Sequence, residues 1–124
     1  MAATSDTAPA GKPAAIYLAS RSPRRRTLLE QIGVAHECLI VDVDERFGEG
    51  EAPSDYVMRL ATDKARAGWD SPSRKRPEPV LGADTAVVLD GAILGKPADD
   101  RQAGAMLASL SERAHEVFTA VALV

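Results

Sequence analysis

The 124-residue sequence is poor in several features that mark common protein classes. It has a single cysteine, Cys38, so no internal disulfide can form, which fits a reducing compartment and a cytoplasmic location. Aromatic residues make up only 4 %, too few rings to expect a single-strand nucleic-acid binder. His36 and His115 are isolated, with no second histidine or cysteine at metal-ligand spacing, which disfavours zinc. No apolar run approaches the roughly 18 residues that span a bilayer, which excludes a membrane protein. Neither charge sign dominates: 15 Lys and Arg against 18 Asp and Glu leave a net −3, with no global pull toward nucleic acid. No internal repeat is visible. What is present, 45 % apolar and 27 % charged residues, is the balance of one ordinary globular domain.

Residues 1–14, rich in Ala, Pro, Thr and Ser, read as a flexible tail. They lack the apolar core of a secretory signal and the arginines of a transit peptide. Ala15–Ala19 (AIYLA) reads as a short buried strand, and Ser22-Pro23 as a helix entry, with Ser as N-cap and Pro at the first helical position. Leu28, Leu29 and Ile32 form that helix's apolar stripe, and Gly33 is its stop. A second strand is expected over Cys38–Val41, followed by Asp42, Asp44 and Glu45 and a polar loop over 46–52. A second helix begins near Pro53-Ser54-Asp55, places Tyr56, Val57, Leu60, Ala61, Lys64 and Ala65 on one face, and ends at Gly68.

Three prolines in Ser71–Pro79 mark a loop. Val80–Leu89 is a strand pattern interrupted at Gly82-Ala83-Asp84, and Asp90-Gly91 is a type I′ hairpin signal leading into Ala92–Leu94. A third helix fits Asp99–Leu110, with Ala103, Met106, Leu107 and Leu110 inward. His115–Val124 (HEVFTAVALV) has the look of a buried strand with no turn after it, so the expectation is the front portion of a longer domain. The order strand-helix-strand-helix-strand-strand-helix-strand argues for an α/β architecture.

The sharpest local feature is Ser20-Arg21-Ser22-Pro23-Arg24-Arg25-Arg26. A helix N-terminus carries roughly half a positive charge and unpaired N–H groups, so arginines in its first turn are unfavourable by about 0.3–1 kcal/mol. An anion docked there removes the conflict, because N–H groups, hydroxyls and guanidinium forks then converge on it, and phosphate is the natural candidate. The bland alternative is a solvated basic helix end.

Asp84 follows Gly82 inside an apolar strand. Burying a carboxylate there is costly unless it meets a metal, a cation or a hydrogen-bond network, so Asp84 reads as a metal ligand, a general base or a turn aspartate where the strand breaks. The neighbouring glycine permits either a bend or a close backbone approach. Glu45, taken alone, is an ordinary surface carboxylate at a strand end. Lys64 lies on an apolar face, so its head must snorkel or find an acid. Lys96, before Pro97, sits in a rigid turn able to aim an ammonium, although most turn lysines are inert. Trp69 at a helix end reads as a packing residue.

Taken together, LASRSPRRRTLLEQIG (18–33), VDVDE (41–45), DYVMRLATDKA (55–65) and VLGADTAVVLDGAILGKP (80–97) resemble the Maf family of nucleoside triphosphate pyrophosphatases, the septum-formation-inhibitor proteins. The resemblance covers 16–124 and implies a Maf/ITPase-like mixed α/β sheet flanked by helices. It implies hydrolysis of a nucleoside triphosphate between the α and β phosphates, with Mg²⁺ or Mn²⁺ as the divalent cation.

By the same resemblance, Ser20, Ser22, Arg24, Arg25, Lys64 and Lys96 meet the phosphates. Asp84 is the proton acceptor, and Glu45 with Asp84 holds the metal. SPRR with GADT looks like the branch acting on dTTP and UTP, where Arg24 and Thr85 help select the pyrimidine; modified pyrimidine triphosphates are further candidates. A homodimer is also implied. Family members continue past this chain with a Gly-Ala-Tyr…Gln-Gly segment that adds sheet strands and a base-selecting glutamine, so the sheet here is expected to stop before its last strands and helix. Asp63 stands where many members have Glu.

Two other readings compete with the pyrimidine-triphosphate pyrophosphatase. One is a catalytically inactive, Maf-derived nucleotide-binding or regulatory protein linked to cell division and septum formation. The other is a nucleic-acid binder using the arginines and Arg74-Lys75-Arg76. Retention of Asp84, Glu45 and both lysines favours catalysis, and the net charge with few aromatics disfavours nucleic acid.

Overall fold

The computed structural model describes residues 14–94, 100–102, 104–105 and 116–124. Strand β1 (Ile16–Ala19) leads to helix α1 (Pro23–Gln31) and strand β2 (His36–Leu39). Helix α2 (Pro53–Trp69) then crosses to the long strand β3 (Val80–Leu89), which turns into β4 (Ala92–Leu94). Residues 100–102 and 104–105 are helical, and β5 (Glu116–Leu123) follows. The rest of the expected third helix, including Ala103, Met106, Leu107 and Leu110, lies outside the described residues, as do the first thirteen residues of the expected tail.

The result is a mixed five-stranded sheet in an α/β chain. β1 pairs in parallel with β2 (Ile16 opposite His36, Ala19 opposite Leu39) and with the start of β3 (Tyr17 opposite Val80, Leu18 opposite Leu81). β5 runs antiparallel along β3 from Leu81–Leu123 to Val88–Glu116. β4 pairs with the far end of β3, from Val87–Leu94 to Leu89–Ala92. β1 and β4 therefore share one edge of β3, and between Leu81 and Val87 that edge has no strand beside it among the described residues. The gap opens where β1 runs out at Ala19, beside the entrance to α1.

The core is built from Tyr17, Ala19, Leu39 and Val80 of the sheet and Val57, Leu60, Ala61 and Ala65 of α2, all almost fully buried. The Tyr17 phenol is satisfied there by the backbone N–H groups of Lys75 and Arg76, at 3.0 and 3.1 Å. Gly82 sets how closely α2 lies on β3: a Cβ there would collide with the Ala61 carbonyl oxygen and stand 2.7 Å from the Ala65 nitrogen. β3 consequently runs unbroken through Gly82-Ala83-Asp84, and the expected interruption is replaced by a close helix approach. Gly68 serves the same packing against Val80 and Ala19 and is buried inside α2, which continues to Trp69 with Asp70 as its C-cap. Asp90 (φ 52°) and Gly91 (φ 80°) both take the positive φ of a type I′ turn, as their dipeptide foretold.

Three other expectations need correction. β2 starts and ends two residues earlier than Cys38–Val41, because its pairing with β1 stops at Ala19–Leu39, and Ile40 is 71 % exposed. His36 is buried instead, its Nδ1–H donating to the Val34 carbonyl at 3.0 Å. No residue of α1 is buried, and Leu28 and Ile32 are exposed, because among the described residues no element packs over that stripe. β5 is buried on one face only: Val117, Val121 and Leu123 are exposed, while Phe118, Ala120 and Ala122 are half-buried on the other.

Helix α1 is held at its start by Ser22, whose Oγ accepts from the Arg25 N–H at 3.3 Å, and leaves through Gly33 at φ 75°. Ser22→Ala should cost about 1 kcal/mol and lower Tm by a few degrees, measured by thermal denaturation. No described helix is long and apolar enough to cross a membrane.

Candidate active site

The opening along β3 is lined on one side by the start of α1 and on the other by Asp84 and Lys64. Ser20 and Ser22 arrive there because β1 delivers the chain directly into the helix entrance. Ser20 is buried and its Oγ accepts from the Ser22 N–H at 3.0 Å, a tight turn that leads the chain into the first turn of α1. That turn contains no acid. Arg24 and Arg25 line a cavity of about 470 Å³ together with Lys64, Asp84, Thr85 and Thr119. A second cavity of about 240 Å³, bounded by Ser20, Ser22, Arg25, Glu45 and Lys64, opens on the other side of Arg25.

Asp84 lies on the face of β3 that meets α2 and is 8 % exposed. The close approach at Gly82 brings α2 near enough for the Lys64 Nζ to donate to Asp84 Oδ1 at 3.0 Å. The same ammonium is 3.9 Å from Glu45 Oε1. Of the two expectations for the apolar-face lysine, snorkelling or an acid, the structure shows the acid, and the pair gives the buried carboxylate its partner.

Of the three acids after β2, Asp42 and Glu45 both border the smaller cavity, but among the described residues only Glu45 comes within 4 Å of Lys64. Asp42 is engaged by Arg21 at 2.8 Å on the surface. Asp44 is chelated by the Arg46 guanidinium, whose hydrogen bonds hold its carboxyl down to about 2.

Two carboxylates converging on one cation are a fair match for a hard divalent ion, which takes oxygen donors. No cluster of three or more His, Cys, Asp or Glu among the described residues could hold an ion unaided. An ion here would complete its shell with water and phosphate oxygens, the usual habit of Mg²⁺.

The structure thus brings together Ser20, Ser22, Arg24, Arg25, Glu45, Lys64, Asp84 and Thr85. Lys96 lies outside the described residues. Three contributors escaped the reading of the sequence. Thr119 pairs with Thr85 across β5 and β3, hydroxyl to hydroxyl at 3.1 Å, while Arg25 Nη2 donates to Thr85 Oγ1 at 3.4 Å. Tyr56 donates its phenol to the Glu45 carbonyl; burial and the nearby Asp84 and Glu45 carboxylates push that phenol above its ordinary range and keep it protonated. Arg59 packs beside Tyr56 and grips Glu51, holding that carboxyl below the usual carboxylate range. Nothing in the sequence pairs these residues with their partners; only the register of β5 and the path of the 40–52 segment do.

Comparison with known proteins gives the family of the chain. The family described as Maf-like protein matches residues 15–124. The dTTP/UTP pyrophosphatase of Bordetella avium is 53 % identical over 115 residues, covering 88 % of this chain and 57 % of that protein. The dTTP/UTP pyrophosphatase of Bordetella parapertussis is 52 % identical over 125 residues, covering 96 % and 60 %. That of Alkalilimnicola ehrlichii is 52 % identical over 113 residues, covering 88 % and 55 %. The chain spans well under two thirds of the length of these curated relatives.

Proposed function

Because the chain belongs to the Maf family, we propose that it hydrolyses pyrimidine nucleoside triphosphates, dTTP and UTP above all, to the monophosphate and pyrophosphate. The observation that carries this reading is the Lys64 ammonium, 3.0 Å from Asp84 and 3.9 Å from Glu45, facing an arginine-lined helix entrance. An anion-binding end beside a buried base is what a phosphoanhydride hydrolase needs. The names of the relatives support the pyrimidine substrate.

The triphosphate lies along the start of α1, held by the Ser22 hydroxyl, the Arg24 and Arg25 guanidinium groups and the helix dipole. Asp84 accepts a proton from water as its oxygen bonds to phosphorus. The α–β phosphoanhydride bond breaks and its electron pair leaves on pyrophosphate. Lys64 and Arg25 stand where that negative charge develops, in a partly desolvated cavity where it counts for most. A bound Mg²⁺ or Mn²⁺, held by Glu45 and Asp84, would supply further charge neutralisation on the phosphates. Arg24 and Thr85, on the wall of the larger cavity, lie where they could read the base. The lone Cys38 supports a cytoplasmic setting.

The direct test incubates purified protein with dTTP, UTP, CTP and 7-methyl-GTP in Mg²⁺ or Mn²⁺ and measures pyrophosphate. Turnover of the first two above the others is expected; binding without turnover would favour a regulatory, nucleotide-sensing role. Arg25→Ala should raise KM for dTTP about 10- to 100-fold, the equivalent of one lost charge-assisted hydrogen bond, and weaken pyrophosphate inhibition in parallel. Unchanged values of both would remove Arg25 from the phosphate site.

A further inference from the structure

Glu45 sits on a segment, residues 40–52, that has no helix or strand. Its side chain is about half exposed, and among the described residues Lys64 is the one cation within 4 Å of it, at 3.9 Å. A carboxylate on an irregular segment is only as well placed as the backbone beneath it, and the structure shows what holds that backbone. The Glu45 carbonyl accepts from the Tyr56 phenol. The next carbonyl, of Arg46, accepts from Arg59 Nη2 at 2.8 Å. The same guanidinium forks onto Glu51, Nε to Oε2 at 2.8 Å and Nη2 to Oε1 at 3.0 Å. Glu51 Oε1 in turn accepts the Gly48 N–H at 3.0 Å. The Arg59 side chain is itself partly buried, 5.4 Å over the Tyr56 ring, with Asp63 3.9 Å away on the next turn.

We infer that Arg59 is a positioning residue, whose guanidinium ties both limbs of the 45–51 segment to α2 and so aims the Glu45 carboxylate toward Asp84. Arg59 borders a cavity with Asp44, Phe47 and Glu51, and neither of the two cavities that Asp84 lines. It therefore acts through Glu45 and not on substrate. Tyr56, Arg59 and Lys64 all stand on one helix, so a single rigid element fixes the backbone of Glu45 and carries the ammonium that its carboxylate faces. A parallel pair of hydrogen bonds onto the two Glu51 oxygens, with a third from the same planar fork to the Arg46 carbonyl, is a geometry that the tetrahedral donors of an ammonium do not reproduce, so geometry and not charge is the requirement. The inference rests on the reading that Glu45 holds a divalent cation at this site, and the experiment separates the two.

Mn²⁺ is titrated into protein holding a non-hydrolysable α,β-imido uridine nucleotide, with free Mn²⁺ followed by electron paramagnetic resonance. The unaltered chain, Arg59→Met, Arg59→Lys and Tyr56→Phe are compared with Glu45→Gln and with the Glu45→Gln double variants of Arg59→Met and Tyr56→Phe, with Tm measured on each. Glu45→Gln is expected to weaken Mn²⁺ affinity about tenfold or more, and Arg59→Met by about tenfold, as when a partner that orients a metal ligand is lost. In the Glu45→Gln background Arg59→Met should add less than about twofold, the mark of two residues acting as one unit. Arg59→Lys should fail to restore affinity, and Tyr56→Phe, a milder change, should show the same dependence on Glu45.

If Glu45→Gln leaves affinity unchanged, the cation reading of Glu45 falls and takes the inference with it. If Glu45→Gln weakens binding but Arg59→Met and Tyr56→Phe weaken it equally in both backgrounds, or not at all, the positioning role alone is overturned. A fall in Tm that is equal in both backgrounds, without this dependence of Mn²⁺ affinity on Glu45, would mark Arg59 as merely structural.

Discussion

Asp84→Asn is expected to lower kcat for pyrophosphate release from dTTP by about 10²- to 10⁴-fold, the range that a positioned general base contributes. The substitution keeps the shape of the side chain and its hydrogen bond from Lys64 but removes the ability to take a proton from water. KM for dTTP should move far less, because the proposed phosphate grip lies at the other wall, where Arg25 and the α1 entrance line the cavity. Asn also leaves the Lys64 ammonium, 14 % exposed, with Glu45 at 3.9 Å as its one carboxylate partner among the described residues. Some loss of Tm should accompany the loss of rate, since a partly buried charge is then poorly paired. Steady-state kinetics at a temperature well below both unfolding transitions separates the two effects. An unaltered kcat would eliminate Asp84 as the base.

Gly82→Ala should lower stability by about 1–3 kcal/mol, which for a chain of this size corresponds to a fall in Tm of roughly 4–12 °C. The added methyl has nowhere to go. It meets the backbone of α2 at Ala61 and Ala65, not the end of a flexible side chain, so the helix itself must move away. Lys64 lies between those two contacts, one residue before Ala65, and Asp84 lies two residues beyond Gly82 on the same face of β3. Any retreat of α2 therefore also draws the ammonium from the carboxylate, and folded Gly82→Ala protein should show lower kcat than its folded fraction explains. Circular dichroism melting together with rates normalised to folded protein checks both parts. A stable variant of normal rate would mean that the helix–strand approach is looser than the structure shows.

The candidate site was partly legible before any coordinates. Arginines in an acid-free first turn conflict with the helix dipole, and that conflict is local, so Arg24, Arg25 and Ser22 declared themselves through sequence neighbours alone. Lys64 was equally readable as a lysine on an apolar face whose head must snorkel out or find an acid. Its partner was not, because twenty residues separate it from Asp84 and only the absence of a Cβ at Gly82 closes the gap. The same glycine misled the reading of β3, since a strand break and a close helix approach leave the same mark in one dimension. The apolar periodicity of α1 and β5 promised more burial than either achieves, because periodicity shows which face is apolar and not what covers it.

By itself the sequence determined the α/β order of elements, the helix entrance at Ser22-Pro23, the type I′ turn at Asp90-Gly91 and the cationic end of the site. Each of these depends on residues within a turn or two of one another, where propensity and electrostatics act directly. The tertiary structure alone decided that Glu45 and not Asp42 or Asp44 meets Lys64, that Thr119 stands beside Thr85, and that Arg59 and Tyr56 hold the backbone of Glu45. Those pairings depend on strand register and on which long side chain reaches which carbonyl, quantities set by packing across the fold and written in no single stretch of chain.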